Sequence, residues 1–483
     1  MKKPIHVKLI IDGKWTSSTS GEEFSIINPA TEEVVATACR ANAEDTQSAI
    51  DAAQRGFHSW REIVPWERSK VLRKAAALMT ERRDGIAEWM TIECGKPIGQ
   101  AVAEVNASID YVEWYSDEAR RIYSKMLQGR DTQTVFQAIY EPIGVTACFT
   151  AWNFPAVLPI RKIAPALAAG CSVVCRPSEA GSICAAELIK CFVDAGLPPG
   201  TINLLTGPSG VISDHILQSP VVRKASFTGS VPVGKSLIAK SADTVKKMTM
   251  ELGGHAPVII FDDIDPEKLA QSAVAAKFRN NGQVCASPTR FFVHRSIVEK
   301  FTEAFVKTAA GLKLGNGLEP DTDVGPLINE RRRSAVETLV ETTMSEGGKI
   351  LLGGKRPENF KKGFFYEPTV FVDVTDDMTI MKEEPFGPLA LITSFDGFDE
   401  VIERANSTEY GLASYVFTHS LELVHRTVAA LDAGIVSVNN WVVSTAEMPY
   451  GGVKYSGFGR EGGSDGIKEY LTAKFVNCKM RAY

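Results

Sequence analysis

The chain has 483 residues, 44% hydrophobic and 23% charged, with a formal net charge of -5. It is too long for one core, so two or three domains are expected. An ordinary composition with mild acidity gives no reason to expect nucleic acid or an anionic membrane as partner, and no stretch approaches the ~20 apolar residues of a membrane span.

The opening residues, from Met1 to Asp12, carry an apolar run too short for a secretory signal, which points to a soluble, cytoplasmic protein. Short strands are predicted at 9–15 and 25–27, and helical periodicity follows at 43–59, 66–95 and 99–123. The polar, β-branched stretch 127–140 reads as a hairpin excursion. From Pro142 the texture alternates, with strands at 144–150, 172–175, 202–206 and 224–227 and helices at 158–169, 182–196, 211–218 and 233–242. Two further strands at 247–252 and 257–261 follow. This alternation predicts a parallel, doubly wound sheet, whose ligands bind beyond the carboxyl ends of the strands. Those ends carry Trp152-Asn-Phe154, Arg176-Pro-Ser-Glu179, Gly207 and Thr228-Gly-Ser230, a set suited to a nucleotide. A second α/β region at 266–438 has helices at 266–277, 297–312, 330–347, 399–406 and 421–431, and a strand at 473–479 ends the chain. Nine scattered cysteines suit a reducing compartment. Cys171 and Cys175 fall in a strand-like segment with no histidine near, so no metal site is expected.

Gly229-Ser-Val-Pro-Val-Gly-Lys-Ser236 fits the spacing of a phosphate-cradling P-loop. Pro232 removes a backbone donor, and the β-branched Val231 and Val233 resist the positive φ of a phosphate nest. A nucleotide triphosphatase is therefore a remote alternative, although a helix N-terminus behind Gly229 and Ser230 can still hold a pyrophosphate.

Three residues invite a chemical reading. Cys285 lies in the polar turn Arg279-Asn-Asn-Gly-Gln-Val-Cys285 after a helix, a position that suits a nucleophile, although a lone cysteine is more often a small buried side chain. Glu251, at a strand end before Leu252-Gly-Gly254, is a general base or a structural ion-pair partner. Asn153, flanked by Trp152 and Phe154, is an oxyanion donor or a turn residue.

Taken together with Phe227-Thr-Gly-Ser230, Glu384-Pro-Phe-Gly-Pro388 and Pro449-Tyr-Gly-Gly through Glu461, these segments resemble the aldehyde dehydrogenase superfamily over essentially the whole chain, most closely its succinate-semialdehyde dehydrogenases. The resemblance implies that Cys285 attacks an aldehyde, that Asn153 and the Cys285 backbone N–H hold the oxyanion, and that Glu251 activates water, with Lys162 and Glu461 passing protons onward. For the cofactor it implies Trp152, Arg176, Ser178, Glu179, Gly229, Ser230, Leu252, Glu384 and Phe386. Glu179 favours NAD over NADP by accepting from a ribose hydroxyl, while Arg176, where the family pattern has lysine, tolerates a phosphate.

Arg161, Arg279 and Ser444 match positions that hold the far carboxylate in succinate-semialdehyde dehydrogenases. Trp441, where a small residue is common, is expected to shorten the substrate pocket or favour a different anionic aldehyde. Glutarate semialdehyde, a three-carbon hydroxy- or sulfo-aldehyde and an aromatic aldehyde stay open, and a non-catalytic structural protein is the other class. Ala286-Ser287 follows the nucleophile where many relatives have a second cysteine, so no disulfide switch is expected there. The implied fold class is α/β and aldehyde-dehydrogenase-like. A Rossmann-type parallel-sheet cofactor domain (1–124 and 142–253) is joined by an α/β catalytic domain (254–453). A small β oligomerisation element (125–141 and 466–483) would make a homodimer or homotetramer.

Overall fold

The computed structural model describes residues 5–480; the expectations for 1–4 and 481–483 lie outside these. Two large sheets dominate. The first has eight strands in the order Gly457–Phe458, Lys247–Glu251, Val222–Thr228, Val145–Phe149, Ser172–Arg176, Ile202–Leu204, Leu9–Ile11 and Lys14–Thr16. Its five central pairing partners, from Lys247–Glu251 to Ile202–Leu204, run parallel. Alternate side chains enter opposite cores: Ala147 and Phe149 join one cluster and Cys148 the other, as the two-residue period of a strand dictates.

From Val145–Phe149 the chain winds outward through Ser172–Arg176 and Ile202–Leu204, then returns to lay Val222–Thr228 on the other side. Order therefore reverses between Val145–Phe149 and Val222–Thr228. A reversal of that kind opens a crevice at the carboxyl ends of the two strands. Asn153 lies beyond the first end, Gly229 and Ser230 beyond the second.

The second sheet has seven strands in the order Lys349–Leu352, Thr369–Val372, Leu389–Phe395, Pro288–His294, Ala256–Ile260, Ala413–Phe417 and Ile435–Val438. All its pairs are parallel except the first. Only four residues separate Lys247–Glu251 from Ala256–Ile260, so carboxyl ends of the first sheet abut amino ends of the second. Cys285, just before Pro288–His294, faces Glu251 across that junction. A three-stranded antiparallel sheet of Leu471–Lys479, Thr134–Pro142 and Lys125–Gln128 stands apart. Among the described residues no helix is long and apolar enough to cross a membrane.

Several expectations need correction. The strand expected at 9–15 is a hairpin, because Asp12 and Gly13 both take positive φ (56° and 74°), the two-residue turn that reverses a chain tightly. A strand at Val34–Cys39, unforeseen, pairs parallel with Ile5–Val7 and antiparallel with Glu23–Ile27. Gly457–Phe458, left unassigned between the expected domains, pairs with Met250 and Glu251 in the first sheet. The P-loop reading fails: no residue from 229 to 236 has positive φ, so no nest forms, and the Lys235 ammonium lies 3.8 Å over the Tyr455 ring.

Candidate active site

The loop that leads to Cys285 is built by three successive left-handed residues, Asn280 (φ 50°), Asn281 (φ 55°) and Gly282 (φ 69°). Such backbone is costly for a side-chain-bearing residue and persists only where its surroundings hold it. Asn281 Nδ2 donates to the Gly325 carbonyl at 2.9 Å, and the Asn280 N–H donates to Gln100 Oε1 at 2.8 Å. Gly282 has no substitute, since a Cβ there would lie 2.0 Å from the Gly387 carbonyl oxygen. Beyond the loop, Lys277 Nζ donates to Ser287 Oγ and to the Gly387 carbonyl, while Tyr415 Oη donates to the Ala286 carbonyl at 2.7 Å. Burial lowers the Lys277 ammonium to about 7.

Cys285, half-buried, lies where two cavities meet. The first, about 400 Å³, is lined by Trp152, Asn153, Ser230, Glu251, Glu384 and Phe386 among others. The second, about 300 Å³, is lined by Arg161, Arg279, Ser444, Phe154, Val443 and Tyr450 among others. Cys285 is the one residue common to both walls. Its Sγ lies 3.3 Å from Tyr450 Oη. Burial pushes the thiol well above its usual range, and the neighbouring Glu251 adds to the effect.

Glu251 is buried, with neither carboxyl oxygen hydrogen-bonded among the described residues. Burial raises its carboxyl, Glu461 raises it further, and Lys162, the Cys285 thiol and Arg161 oppose the rise. Lys162 Nζ donates to Glu461 Oε1 and Thr228 Oγ1, both at 2.6 Å. Both members of this pair are buried, and both act on the charge of Glu251.

Asn153 Nδ2 donates to the Gln283 carbonyl at 3.1 Å, which leaves its second N–H for another acceptor. Its own carbonyl is gripped by Lys96 Nζ at 2.9 Å and Asn280 Nδ2 at 3.0 Å. Lys96 is ion-paired with Glu104, whose Oε1 accepts from the backbone N–H groups of Ala156 and Val157, at the start of the helix Val157–Ala169. That helix carries Arg161 and Lys162. One buried pair thus fixes both the amide and the helix of the other site groups.

On the first cavity, Ser230 caps the helix Val231–Ser241 with extended backbone but no side-chain cap bond, so its hydroxyl and the first-turn N–H groups stay available to an anion. Glu384 accepts from the Gly254 N–H at 3.0 Å, and burial raises its carboxyl to about 8. Phe386 meets Trp152 edge to face at 5.7 Å, and Gly229 and Leu252 complete the wall. Arg176, Ser178 and Glu179 lie apart from this cavity, at the carboxyl end of Ser172–Arg176, with Arg176 Nη2 donating to the Gly207 carbonyl at 2.6 Å.

On the second cavity, Arg161 donates to Ser444 Oγ and lies 4.1 Å over the Tyr450 ring. Arg279 lies 5.5 Å over Phe154. Neither guanidinium has a carboxylate partner within ion-pair distance among the described residues. Trp441 does not line this cavity, contrary to expectation. Its ring packs against Phe417 and Tyr415, and its Nε1 donates to Ser272 Oγ at 3.0 Å.

Sequence reasoning passed over Tyr450, the Lys96–Glu104 pair, and Arg331 and Arg332 on the first cavity. Tyr450 stood inside a quoted motif without a role. The run of three arginines at 331–333 was a usable signal, whereas the spacing of Lys96 from Glu104 gives none.

The family model of the aldehyde dehydrogenase family matches residues 15–476. A succinate-semialdehyde dehydrogenase of rice mitochondria is 43% identical over 97% of this chain and 88% of its own length. A 3-sulfolactaldehyde dehydrogenase of Pseudomonas putida is 42% identical over 96% of both. The crystal structure of a betaine aldehyde dehydrogenase from Staphylococcus aureus in complex with NAD+ superposes with a TM-score of 0.96 at 34% identity, covering 99% of this chain and 95% of that one.

Proposed function

The chain belongs to the aldehyde dehydrogenase family, and from that premise we propose that it oxidises a small anionic aldehyde, first of all succinate semialdehyde, to the carboxylic acid. The observation that carries the anionic choice is the pair Arg161 and Arg279, two guanidinium groups on one cavity wall beside the thiol, neither within ion-pair distance of a carboxylate among the described residues. Planar guanidinium forks match carboxylate geometry, and an unneutralised pair near one cavity favours an anion.

In its ionised form Glu251 takes the Cys285 proton. The thiolate attacks the carbonyl carbon, a C–S bond forms, and the carbonyl electron pair moves to oxygen. Asn153 Nδ2 and the Cys285 backbone N–H donate to that oxyanion. A nicotinamide dinucleotide held in the first cavity would supply the hydride acceptor through which this carbon reaches the thioester level. Glu251 next takes a proton from the water that attacks the thioester, and the C–S bond breaks with its electron pair returning to sulfur. Lys162 and Glu461 carry protons away from Glu251.

The first cavity suits the dinucleotide. Ser230 and the open helix N-terminus offer donors to the pyrophosphate, Glu384 and Phe386 flank the nicotinamide ribose, and Trp152, Gly229 and Leu252 supply walls. Arg331 and Arg332 add positive charge. Glu179 and Ser178 stand for the adenosine ribose. Arg176 Nη2 donates to the Gly207 carbonyl, and the Glu179 carboxylate, which accepts from a ribose 2′-hydroxyl and repels a 2′-phosphate, supports NAD over NADP. A cytoplasmic homo-oligomer completes this reading, assembled through the three-stranded sheet.

A sulfonated three-carbon aldehyde is the second reading, favoured by the same two arginines. The deciding experiment follows absorbance at 340 nm with succinate semialdehyde, 3-sulfolactaldehyde and butanal. An anion advantage in kcat/KM on the order of 100-fold over butanal is expected from charge-assisted bonds, and Arg279→Leu should remove most of it while sparing butanal. Equal efficiency for succinate semialdehyde and butanal overturns the anionic assignment, and the larger value between the two anions chooses the substrate.

A further inference from the structure

We propose that the Tyr450 hydroxyl is a further catalytic group, which donates a hydrogen bond to the Cys285 thiolate and keeps the nucleophile ionised; the proposal rests on the reading of Cys285 as nucleophile. A partly buried thiolate needs donors, because burial penalises the charged form. Both burial and Glu251 work against ionisation of this thiol, and the Tyr450 hydrogen bond is the one influence that favours it. Sγ and Oη are 3.3 Å apart, within reach of an O–H···S bond.

Tyr450 is well fixed for this task. It is buried, and its backbone is bridged on both sides to Glu461, N to O at 2.6 and 2.8 Å. Above its ring lies the Arg161 guanidinium at 4.1 Å. A cation on the ring face stabilises negative charge that develops on the phenol oxygen, which makes the hydroxyl a better donor. The bond serves both halves of the reaction. Before attack it raises the thiolate fraction; when the thioester breaks, it receives the sulfur as its electron pair returns. The acylated sulfur is neutral and a weaker acceptor, so the contact discriminates between the two states.

The test is alkylation of cofactor-free enzyme by iodoacetamide across pH, with the modified peptide mapped by mass spectrometry and activity followed in parallel. Tyr450→Phe keeps the ring beneath Arg161 and removes only the donor. Its Cys285 alkylation should be about tenfold slower below the thiol pKa and converge with the wild type at high pH, where both thiols are ionised; kcat/KM for succinate semialdehyde should follow the same pattern with KM little changed. Incorporation of 3-fluorotyrosine at position 450, a stronger donor that retains the fold, should move the profile the other way. Superimposable profiles, a uniform loss at every pH, or faster alkylation in Tyr450→Phe overturn the proposal. Wild-type inactivation that maps to another cysteine refutes instead the assignment of Cys285 as nucleophile.

Discussion

Glu251 and Glu461 illustrate how two carboxyls in one buried region acquire different work. Burial raises Glu251 and the nearby Glu461 raises it further, while Lys162 is tied to Glu461 rather than to Glu251 itself. A base is useless while protonated, so turnover should climb as pH rises through the raised Glu251 value. Glu461→Gln removes the like charge and leaves Lys162 positive. The acid limb of the kcat–pH profile should therefore move to lower pH, as measured with saturating succinate semialdehyde; a limb that stays in place or moves to higher pH would separate Glu461 from the titration of Glu251. At this scale the legibility of the sequence was uneven. Cys285, Glu251 and Asn153 announced themselves because each sits in a contiguous, Gly- or aromatic-flanked motif. Tyr450 did not, because its partner sulfur is 165 residues away and no local period connects them. Trp441 misled for the opposite reason: it stands three residues before Ser444, which lines the second cavity, but Phe417 and Tyr415 draw its ring into the second sheet's packing.

Elements in this protein are capped at a distance. The helix Ser182–Asp194 begins at Gly181, which offers no side-chain cap. Its first-turn N–H groups, Ile183 at 3.0 Å and Cys184 at 2.8 Å, donate instead to Glu93 near the end of the helix Pro65–Cys94. Burial raises the Glu93 carboxyl to about 8, from an ordinary carboxyl value of about 4.5. The sign follows from linkage: the folded state binds the proton more tightly than the unfolded chain, so this contribution is full below about 4.5 and fades as pH rises through about 8. Glu93→Ala should cost about 1–3 kcal/mol near pH 6 by leaving buried donors unmet. Its deficit in Tm against the wild type should shrink toward pH 9, and a deficit that grows with pH would contradict the assignment. Helices of this kind were legible from apolar periodicity to within a few residues, since a buried face writes itself into sequence locally. The strand Val34–Cys39 was not. Its residues are short and weakly alternating, and its parallel partner Ile5–Val7 is set by a crossover, a relation that no window of sequence contains.

At the scale of the whole molecule, the three-stranded sheet presents Leu127, Met126 and Phe475 at 66%, 71% and 68% exposure. Open strand edges and large apolar side chains in water invite association, which supports assembly through this face. Phe475→Asp should dissociate the assembly to monomers in mass photometry at nanomolar concentration, and an unchanged mass would place the interface elsewhere. The two large sheets hold a different lesson. They meet end to end, and a single sulfur atom stands in the partition between the chambers they enclose. Traffic on the two sides of that partition is consequently separable. Under the proposed function, an acyl group held on the sulfur from the second chamber would leave the first chamber free for the dinucleotide to exchange. An electrophilic inhibitor can likewise be built to approach Cys285 from either chamber, so that two chemically unrelated warheads would compete for one atom while sharing no other contact.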